Sequence, residues 1–329
     1  MILSIIYLLA GLVLILVGAN CLTDGSSSLA RRMGVSDLTV GLTVVAFGTS
    51  APELVISMIS AIEGSPELAV GNVVGSNTFN ILMIIGVTAI VRPIPVSRGL
   101  MTNELPLVVL SSAVLLVMAN GSFLDGNAQA VISRVDGIVL LMFFAIFMRY
   151  TFAQARQLPD GPVAPGTVPS TAGAVIEMKP LKAVVYVAGG LAALIVGGDR
   201  FVAGASDIAK AFGVSDAVIG LTIVACGTSL PELATSVTAA VKGKPGIALG
   251  NVIGSNIFNI FLVLGCSATV TPLRLGNIGN ADLFVLTGAS ILFWLAGRVI
   301  GRHVITRGEG ALMTACYVGY VAWLVANAV

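Results

Sequence analysis

The chain has 329 residues, 57% of them hydrophobic and only 10% charged, with a mean hydropathy of +1.01 and a net charge of +1. Soluble domains carry about 25% charged residues, so composition excludes one, and the near-zero net charge excludes a general attraction to nucleic acid. Apolar runs of about 20 residues recur from end to end, the length of a transmembrane helix; backbone groups in lipid must bond within their own segment, and the alternating strands of a barrel are absent, so the expected class is an all-α polytopic membrane protein.

Taken in order, residues 2–23 form a first apolar span. Met1 is followed by no basic stretch, which favours a permanent helix over a cleaved signal. Residues 24–34 are polar and end at Gly34, a helix C-cap. A second span over about 36–62 contains Gly48-Thr49-Ser50-Ala51-Pro52-Glu53. Thr49 and Glu53 are four apart and share a face of an unbroken helix. Pro52 has no N–H for the Gly48 carbonyl, so the helix is expected to kink or unwind, turning carbonyls near Ala46–Gly48 toward a cation. After a tight turn at Glu63-Gly64-Ser65-Pro66-Glu67, a third span over about 68–91 carries Gly71-Asn72-Val73-Val74-Gly75-Ser76-Asn77-Thr78-Phe79-Asn80. A basic loop from Arg92 to Arg98 leads to spans near 103–120 and 134–152. Residues 153–181, with Pro159, Gly161, Pro162, Pro165, Gly166, Pro169 and Gly173, read as a flexible Pro/Gly-rich linker.

The second half repeats the first. Gly227-Thr228-Ser229-Leu230-Pro231-Glu232 and Gly250-Asn251-Val252-Ile253-Gly254-Ser255-Asn256-Ile257-Phe258-Asn259 return with a constant shift, Glu53 to Glu232 and Asn80 to Asn259 each being 179 residues apart. Gly34-Val35-Ser36-Asp37 likewise matches Gly213-Val214-Ser215-Asp216. Spans fall near 182–203, 215–241, 247–270, 281–300 and 309–327. The expected architecture is ten transmembrane helices as two inverted five-helix repeats, residues 1–152 and 182–329, because an odd number of spans per repeat turns the second copy upside down. Charge agrees: with the N-terminus outside, thirteen of the seventeen Lys and Arg residues fall on the inner side and four outside. Both termini are then external and the linker cytoplasmic.

Glu53 and Glu232 are the only carboxylates placed near mid-membrane, where a charge costs at least about 2.5 kcal/mol and so implies a function. Around them lie hydroxyls, carboxamides and main-chain carbonyls, a hard-oxygen set suited to Ca²⁺ or Na⁺ rather than zinc or copper. Ser76 with Asn80, and Ser255 with Asn259, are i, i+4 pairs that can face the glutamates. Gly71 with Gly75, and Gly250 with Gly254, permit a close helix approach. Asn72, Asn77, Asn251 and Asn256 are read as hydrogen-bonding between helices. Cys21, Cys226, Cys266 and Cys316 lack metal spacing and read as inert thiols, and the lone His303 excludes a His-rich metal site. An intramembrane hydrolase built on Ser50 or Ser229 would lack a nearby base, so no enzyme activity is expected, and the inverted repeat favours a carrier over a passive channel.

With GTSAPE and GNVVGSNTFN answered by GTSLPE and GNVIGSNIFN, the chain resembles the cation/calcium exchanger superfamily, particularly prokaryotic sodium/calcium antiporter-like membrane proteins. The resemblance implies Ca²⁺ exchanged against several Na⁺ by alternating access, without a cofactor or obligate protein partner, in a prokaryotic inner membrane. It implies ligands from Thr49, Ser50, Glu53, Ser76 and Asn80, a second set from Thr228, Ser229, Glu232, Ser255 and Asn259, and carbonyls of Ala46 and Ala225. Some relatives carry Asp where Asn80 or Asn259 stands here, leaving this site two formal negative charges. H⁺-coupled or K⁺-dependent divalent cation exchange is the alternative. The charge bias predicts that a reporter fused near Gly166 reads out in the cytoplasm and one after Val329 on the opposite side; an external signal at Gly166 would invert the topology.

Overall fold

The computed structural model describes residues 2–121, 131–155, 178–212, 225–276, 278–300 and 303–328. Its helices are α1 (Ile2–Met33), α2 in two halves (Asp37–Thr49 and Ala51–Ile62), α3 (Pro66–Val91), α4 (Arg98–Ala119), α5 (Arg134–Ala155), α6 (Pro180–Ala211), α7 (Leu230–Val241), α8 (Pro245–Val270), α9 (Asn280–Arg298) and α10 (Arg307–Ala328). Among the described residues, eight are long and apolar enough to cross a membrane, and the two halves of α2, bent by 44°, make a ninth. The expected span 215–241 is described only from residue 225 onward. Residues 215–224, the Gly213–Asp216 motif and most of the linker lie outside the described residues.

Through the polar stretch after residue 23, α1 runs on to Met33, up to the expected cap. Ser26, Ser27 and Ser28 are buried, so the polar residues there face protein, and a polar composition does not end the helix. The end comes at Gly34, with φ +64°, where its N–H bonds the Arg31 carbonyl and the Val35 N–H bonds the Ala30 carbonyl. That pair of bonds is a Schellman cap, and the left-handed residue in it is glycine because no Cβ clashes there.

α1 and α6 lie against each other through glycines that recur every seven residues, Gly11, Gly18 and Gly25 on one helix and Gly190, Gly197 and Gly204 on the other. A Cβ on Gly18 would stand 2.8 Å from the Gly190 carbonyl oxygen, one on Gly190 2.7 Å from the Leu22 nitrogen, and one on Gly204 2.5 Å from the Ser4 carbonyl oxygen. The pairs run oppositely along the two chains, so the helices are antiparallel and touch backbone to backbone over several turns. In lipid, where apolar side chains gain nothing by leaving their solvent, such dispersion contact is a main source of helix association. The outer faces of both helices expose Leu9, Leu16, Val184 and Val185.

α3 and α8 are the most enclosed helices and form the centre of the bundle. The two halves are stitched across each other by two short antiparallel pairs. β1 (Ile94–Pro95), just after α3, pairs with β4 (Val304–Ile305), just before α10; β2 (Val131–Ile132), before α5, pairs with β3 (Leu273–Arg274), after α8. The Ser112 and Ser290 hydroxyls, equivalent in the two halves, meet at 2.8 Å between α4 and α9. α5 and α10 begin with matching reciprocal caps: the Asp136 carboxylate accepts the Ser133 N–H at 2.8 Å and the Glu309 carboxylate accepts the Thr306 N–H at 2.7 Å, while each Ser or Thr hydroxyl accepts in return. The α2–α3 and α7–α8 turns share a left-handed glycine, Gly64 with φ +85° and Gly243 with φ +75°. Their charges are opposite: Glu63 and Glu67 flank one, Lys242 and Lys244 the other. Asp24 on α1 pairs with Lys242 at 2.8 Å and Lys244 at 3.3 Å.

Replacing Gly18 or Gly190 with Val is therefore expected to force α1 and α6 apart and to lower stability by more than the ~1–3 kcal/mol typical of overpacking. Thermal unfolding in detergent measures this. Gly189→Ala, on the exposed face with nothing within 4 Å of its Cβ, serves as the neutral control.

Candidate functional site

Pro52 and Pro231 each stand in the first turn of a helix that starts afresh in the bundle, Ala51–Ile62 and Leu230–Val241. Proline suits that turn because its missing N–H has no intrahelical partner to bond. The carboxylates of Glu53 and Glu232 follow directly, at the helix end whose dipole favours negative charge. Both glutamates are fully buried. The Ala46 carbonyl is not freed by the break as expected, since it accepts the Ser50 N–H at 3.0 Å. Proline acts two residues later in the ladder, on the Gly48 carbonyl, so Ala46 keeps a helix bond, and its carbonyl also accepts the Thr49 hydroxyl at 3.4 Å. Ala225 opens a short helical turn, Ala225–Gly227, and Ser229 N–H bonds the Cys226 carbonyl there.

The structure brings the sequence-predicted residues together across the two halves. Ser50 of the first half donates to Glu232 Oε1 at 3.3 Å, and Ser229 of the second donates to Glu53 Oε1 at 3.4 Å. Ser255 on α8 reaches Glu232 Oε1 at 3.5 Å. Thr49 lies beside Glu232 and donates to Asn251 Oδ1 at 3.0 Å; Thr228 lies toward Glu53 but its hydroxyl makes no hydrogen bond among the described residues. Glu53 Oε2, Glu232 Oε2, Ser76 Oγ, both polar atoms of Asn80 and Asn259 Oδ1 are likewise buried without a hydrogen bond among the described residues. Buried polar atoms are nearly always paired. Six of the ten predicted side chains thus carry an unpaired polar atom, mostly oxygen, within one region of a membrane bundle. Asn80 and Asn259 sit where α3 and α8 widen into π-helical turns, Phe79–Ile84 and Phe258–Leu264. Such turns interrupt the regular ladder and are frequent at functional sites. Among the described residues no group of three His, Cys, Asp or Glu side chains converges.

The four remaining asparagines do bond between helices, with one exception. Asn72 donates to the Glu53 carbonyl at 3.4 Å and to Ser57 at 3.0 Å; Asn251 donates to the Glu232 carbonyl at 3.3 Å and to Ser236 at 3.0 Å. Asn77 Nδ2 donates to the Asn256 carbonyl at 3.2 Å. Asn256 Nδ2 instead returns to its own helix, at the Val252 carbonyl. Sequence reading also expected Gly71 with Gly75, and Gly250 with Gly254, to bring α3 and α8 close to the glutamate helices. The approach of the second pair crosses the halves. A Cβ on Gly250 would stand 2.6 Å from the Leu38 carbonyl oxygen, and one on Gly254 2.5 Å from Ala46 Cβ, both on α2. Among the described residues a Cβ on Gly71 would meet Ile278, at 3.5 Å; the second-half counterpart of Leu38 lies outside them. Gly75 is exposed where Gly254 is buried. Spacing within one half cannot reveal partners in the other. The glycine heptads of α1 and α6 have a period of seven that is visible in the sequence, but nothing in one heptad names the other as its partner.

Asn251→Ala should remove the partner that Thr49, Ser236 and the Glu232 carbonyl share, leaving Thr49 and Ser236 only their longer bonds to Ala46 and Ala248, and cost about 1–3 kcal/mol. Asn72→Ala, at a half-buried position, should cost less; unfolding of the purified proteins compares the two.

Comparison with known proteins agrees with this geometry. The family described as sodium/calcium exchanger protein matches residues 3–153 and 182–326. Inner membrane protein YrbG of Escherichia coli (strain K12) is 36% identical over 98% of this chain and 96% of its own length, and sodium/calcium exchanger MaX1 of Methanosarcina acetivorans is 31% identical over 98% of both. A solved structure of the sodium-calcium exchanger NCX_Mj, soaked with Na⁺ and Ca²⁺, superposes with a TM-score of 0.80 at 33% identity, covering 98% of each chain. The doubled Thr-Ser-x-Pro-Glu break, the enclosed α3 and α8 and the match over nearly the whole length agree: this chain is an integral membrane protein of the sodium/calcium exchanger family.

Proposed function

We propose that the protein is a secondary transporter that exchanges Ca²⁺ for Na⁺ by alternating access, with Thr49, Ser50, Glu53, Ser76 and Asn80, and Thr228, Ser229, Glu232, Ser255 and Asn259, as the ion-binding side chains. The observation that carries this reading is the cluster of buried, unpaired oxygens around two fully buried carboxylates. Leaving them so would be costly in a low-dielectric interior. A hard cation satisfies carboxylate, hydroxyl and carboxamide oxygens at once. The helix ends that meet there add to the fit: α2 stops at Thr49 and restarts at Ala51, so carbonyls of one half-helix converge on the start of the next.

The repeated sequence and its cross-half contacts support ten spans in two inverted five-helix units, and the charge bias supports external termini in a prokaryotic inner membrane. Burial is unequal on the two sides of the site. Gly250, Asn251 and Gly254, near the Lys242–Lys244 turn, are buried, while Gly71, Asn72 and Gly75, near the Glu63–Glu67 turn, are half-buried or exposed. The arrangement fits a carrier loading from the side of the acidic turn, which is the outer side in this topology.

Two carboxylates balance one Ca²⁺ or two Na⁺; a third Na⁺ leaves the loaded site at +1. Moving that charge through the membrane is worth about 2.3 kcal/mol per 100 mV. Three-for-one exchange therefore responds to voltage and two-for-one need not. Ca²⁺ uptake into proteoliposomes, with Na⁺, K⁺ and H⁺ gradients varied separately, tests the reading: uptake should follow the Na⁺ gradient. Uptake with no counter-ion gradient would mean a channel, and uptake driven only by H⁺ would replace sodium coupling.

Glu53→Gln and Glu232→Gln each keep shape and remove one charge. Each single variant should lose Na⁺-driven Ca²⁺ uptake by at least a hundredfold, a loss of about 2.7 kcal/mol, while still folding and inserting. Asp199→Asn, at an exposed position on α6, should leave uptake unchanged. Near-normal uptake by Glu232→Gln would remove the two-carboxylate site.

A further inference from the structure

The two halves share the same motif yet do not make the same bonds. Two sets are mirrored: Ser50 on Glu232 with Ser229 on Glu53, and Asn251 on Glu232 and Ser236 with Asn72 on Glu53 and Ser57. Three are made on one side only. Thr49 bonds Asn251, but the equivalent Thr228 makes no bond to Asn72; Ser255 reaches Glu232, but Ser76 is unpaired; Asn259 Nδ2 donates to Asn77 Oδ1 at 3.0 Å, but Asn80 and Asn256 Oδ1 are unpaired. Every missing bond is the mirror image of one that is made. Because equivalent residues occupy both sides, the difference lies in arrangement, not composition.

The third set bears on ion coordination. A carboxamide holds a cation through its oxygen, and its orientation is settled by where its N–H groups go. Asn259 Nδ2 is committed to Asn77 Oδ1, which leaves Asn259 Oδ1 buried and unpaired, one helical turn from Ser255, whose hydroxyl reaches Glu232. Asn77 is itself oriented, because its Nδ2 is held by the Asn256 carbonyl on α8. Asn80 has no such guide: neither of its polar atoms is bonded, and the terminal torsion of an asparagine is broad and soft. Its natural guide, Asn256, is turned back onto Val252 at 2.7 Å.

We propose that Asn77 and Asn256 are a pair of positioning residues at the α3–α8 crossing that orient the two ion-site carboxamides by turns. In the present arrangement Asn77 holds Asn259 oxygen-inward. In the mirror arrangement Asn256 Nδ2 leaves the Val252 carbonyl for that of Asn77, and Asn256 Oδ1 takes up Asn80 Nδ2. Each facing state then presents one fixed and one free carboxamide oxygen to the hard cation, and the identity of the fixed one changes with the state. The inference rests on the exchange reading above and adds to it a division of labour between the asparagines.

The test is a pair of double-mutant cycles in proteoliposomes of defined orientation, measuring KM for Ca²⁺ at each face. Wild-type exchange is established first, so failure of the transport reading shows there and not in the cycles. Asn77→Ala should raise KM about tenfold at the face of the Glu63–Glu67 turn, the effect of losing one buried hydrogen bond, and change it less than twofold at the other. Adding Asn77→Ala to Asn259→Ala should cost nothing further at that face, because Asn77 acts through Asn259; added to Asn80→Ala there, its effect should multiply. Asn256→Ala should show the reverse pattern, coupled to Asn80 at the face of the Lys242–Lys244 turn. A structural role alone would shift both faces together and be additive with both partners, and that result overturns the proposal, as does an unchanged KM. Should Asn77→Ala fail to fold, the Asn256 cycle alone decides between these outcomes.

Discussion

Two carboxylates sit where an apolar bundle is least able to hold them. Glu53 and Glu232 have no exposed surface, and each presents one oxygen to a serine of the opposite half while the other has no hydrogen bond among the described residues. The rest of the site follows from that constraint. Helix breaks at Pro52 and Pro231 bring fresh helix starts to the glutamates, where the dipole is favourable. Asn72 and Asn251 hold the glutamate backbones from the side, so the carboxylates are positioned through their main chain as well as their side chains. Removing one partner of such a network leaves the others desolvated, which is why satisfied polar networks in cores specify a single arrangement.

Close packing in lipid demands glycine, and the chain uses it for two different tasks. Along α1 and α6 the seven-residue glycine repeat lets two backbones touch for their length, binding a pair whose outer faces are apolar. Between α2 and α8, Gly41 and Gly250 meet with a Cβ of either at 2.9–3.0 Å from the Cα of the other, sealing one side of the site. In the first half the equivalent Gly71 is half-buried and Gly75 exposed.

Much of this was legible in the chain. The paired Thr-Ser-x-Pro-Glu motifs announce broken helices because proline acts on the local ladder, and the 179-residue shift predicts that Ser50 and Ser229, or Asn72 and Asn251, play matching parts. The expected cap at Gly34 holds, and the polar stretch before it stays helical because Asp24 pairs with Lys242 and Lys244 and Ser26, Ser27 and Ser28 are buried. What spacing could not convey was that partners come from the opposite half. Ser50 finds Glu232, not Glu53, and β1 finds β4, because local periodicity carries no information on tertiary neighbours. Nor does a repeated sequence say which of two mirror-image bond sets is made at a given moment.

The α2–α3 and α7–α8 turns have the same backbone, a glycine at positive φ followed by proline two residues on, and opposite charge. In the inverted topology proposed above, two separate copies of a five-helix chain would close the same seams, since β1–β4 and β2–β3 are each other's image. They would also carry one turn sequence twice, and so one sign of charge on both membrane faces. Insertion machinery reads the difference in Lys and Arg between faces, and such an assembly would offer it none. Joined in a single polypeptide, the halves are free to diverge: Glu63 and Glu67 at one surface, Lys242 and Lys244 at the other. In that arrangement a single polypeptide adds nothing to the packing that a dimer would lack; what it adds is a molecule whose two ends a cell can tell apart.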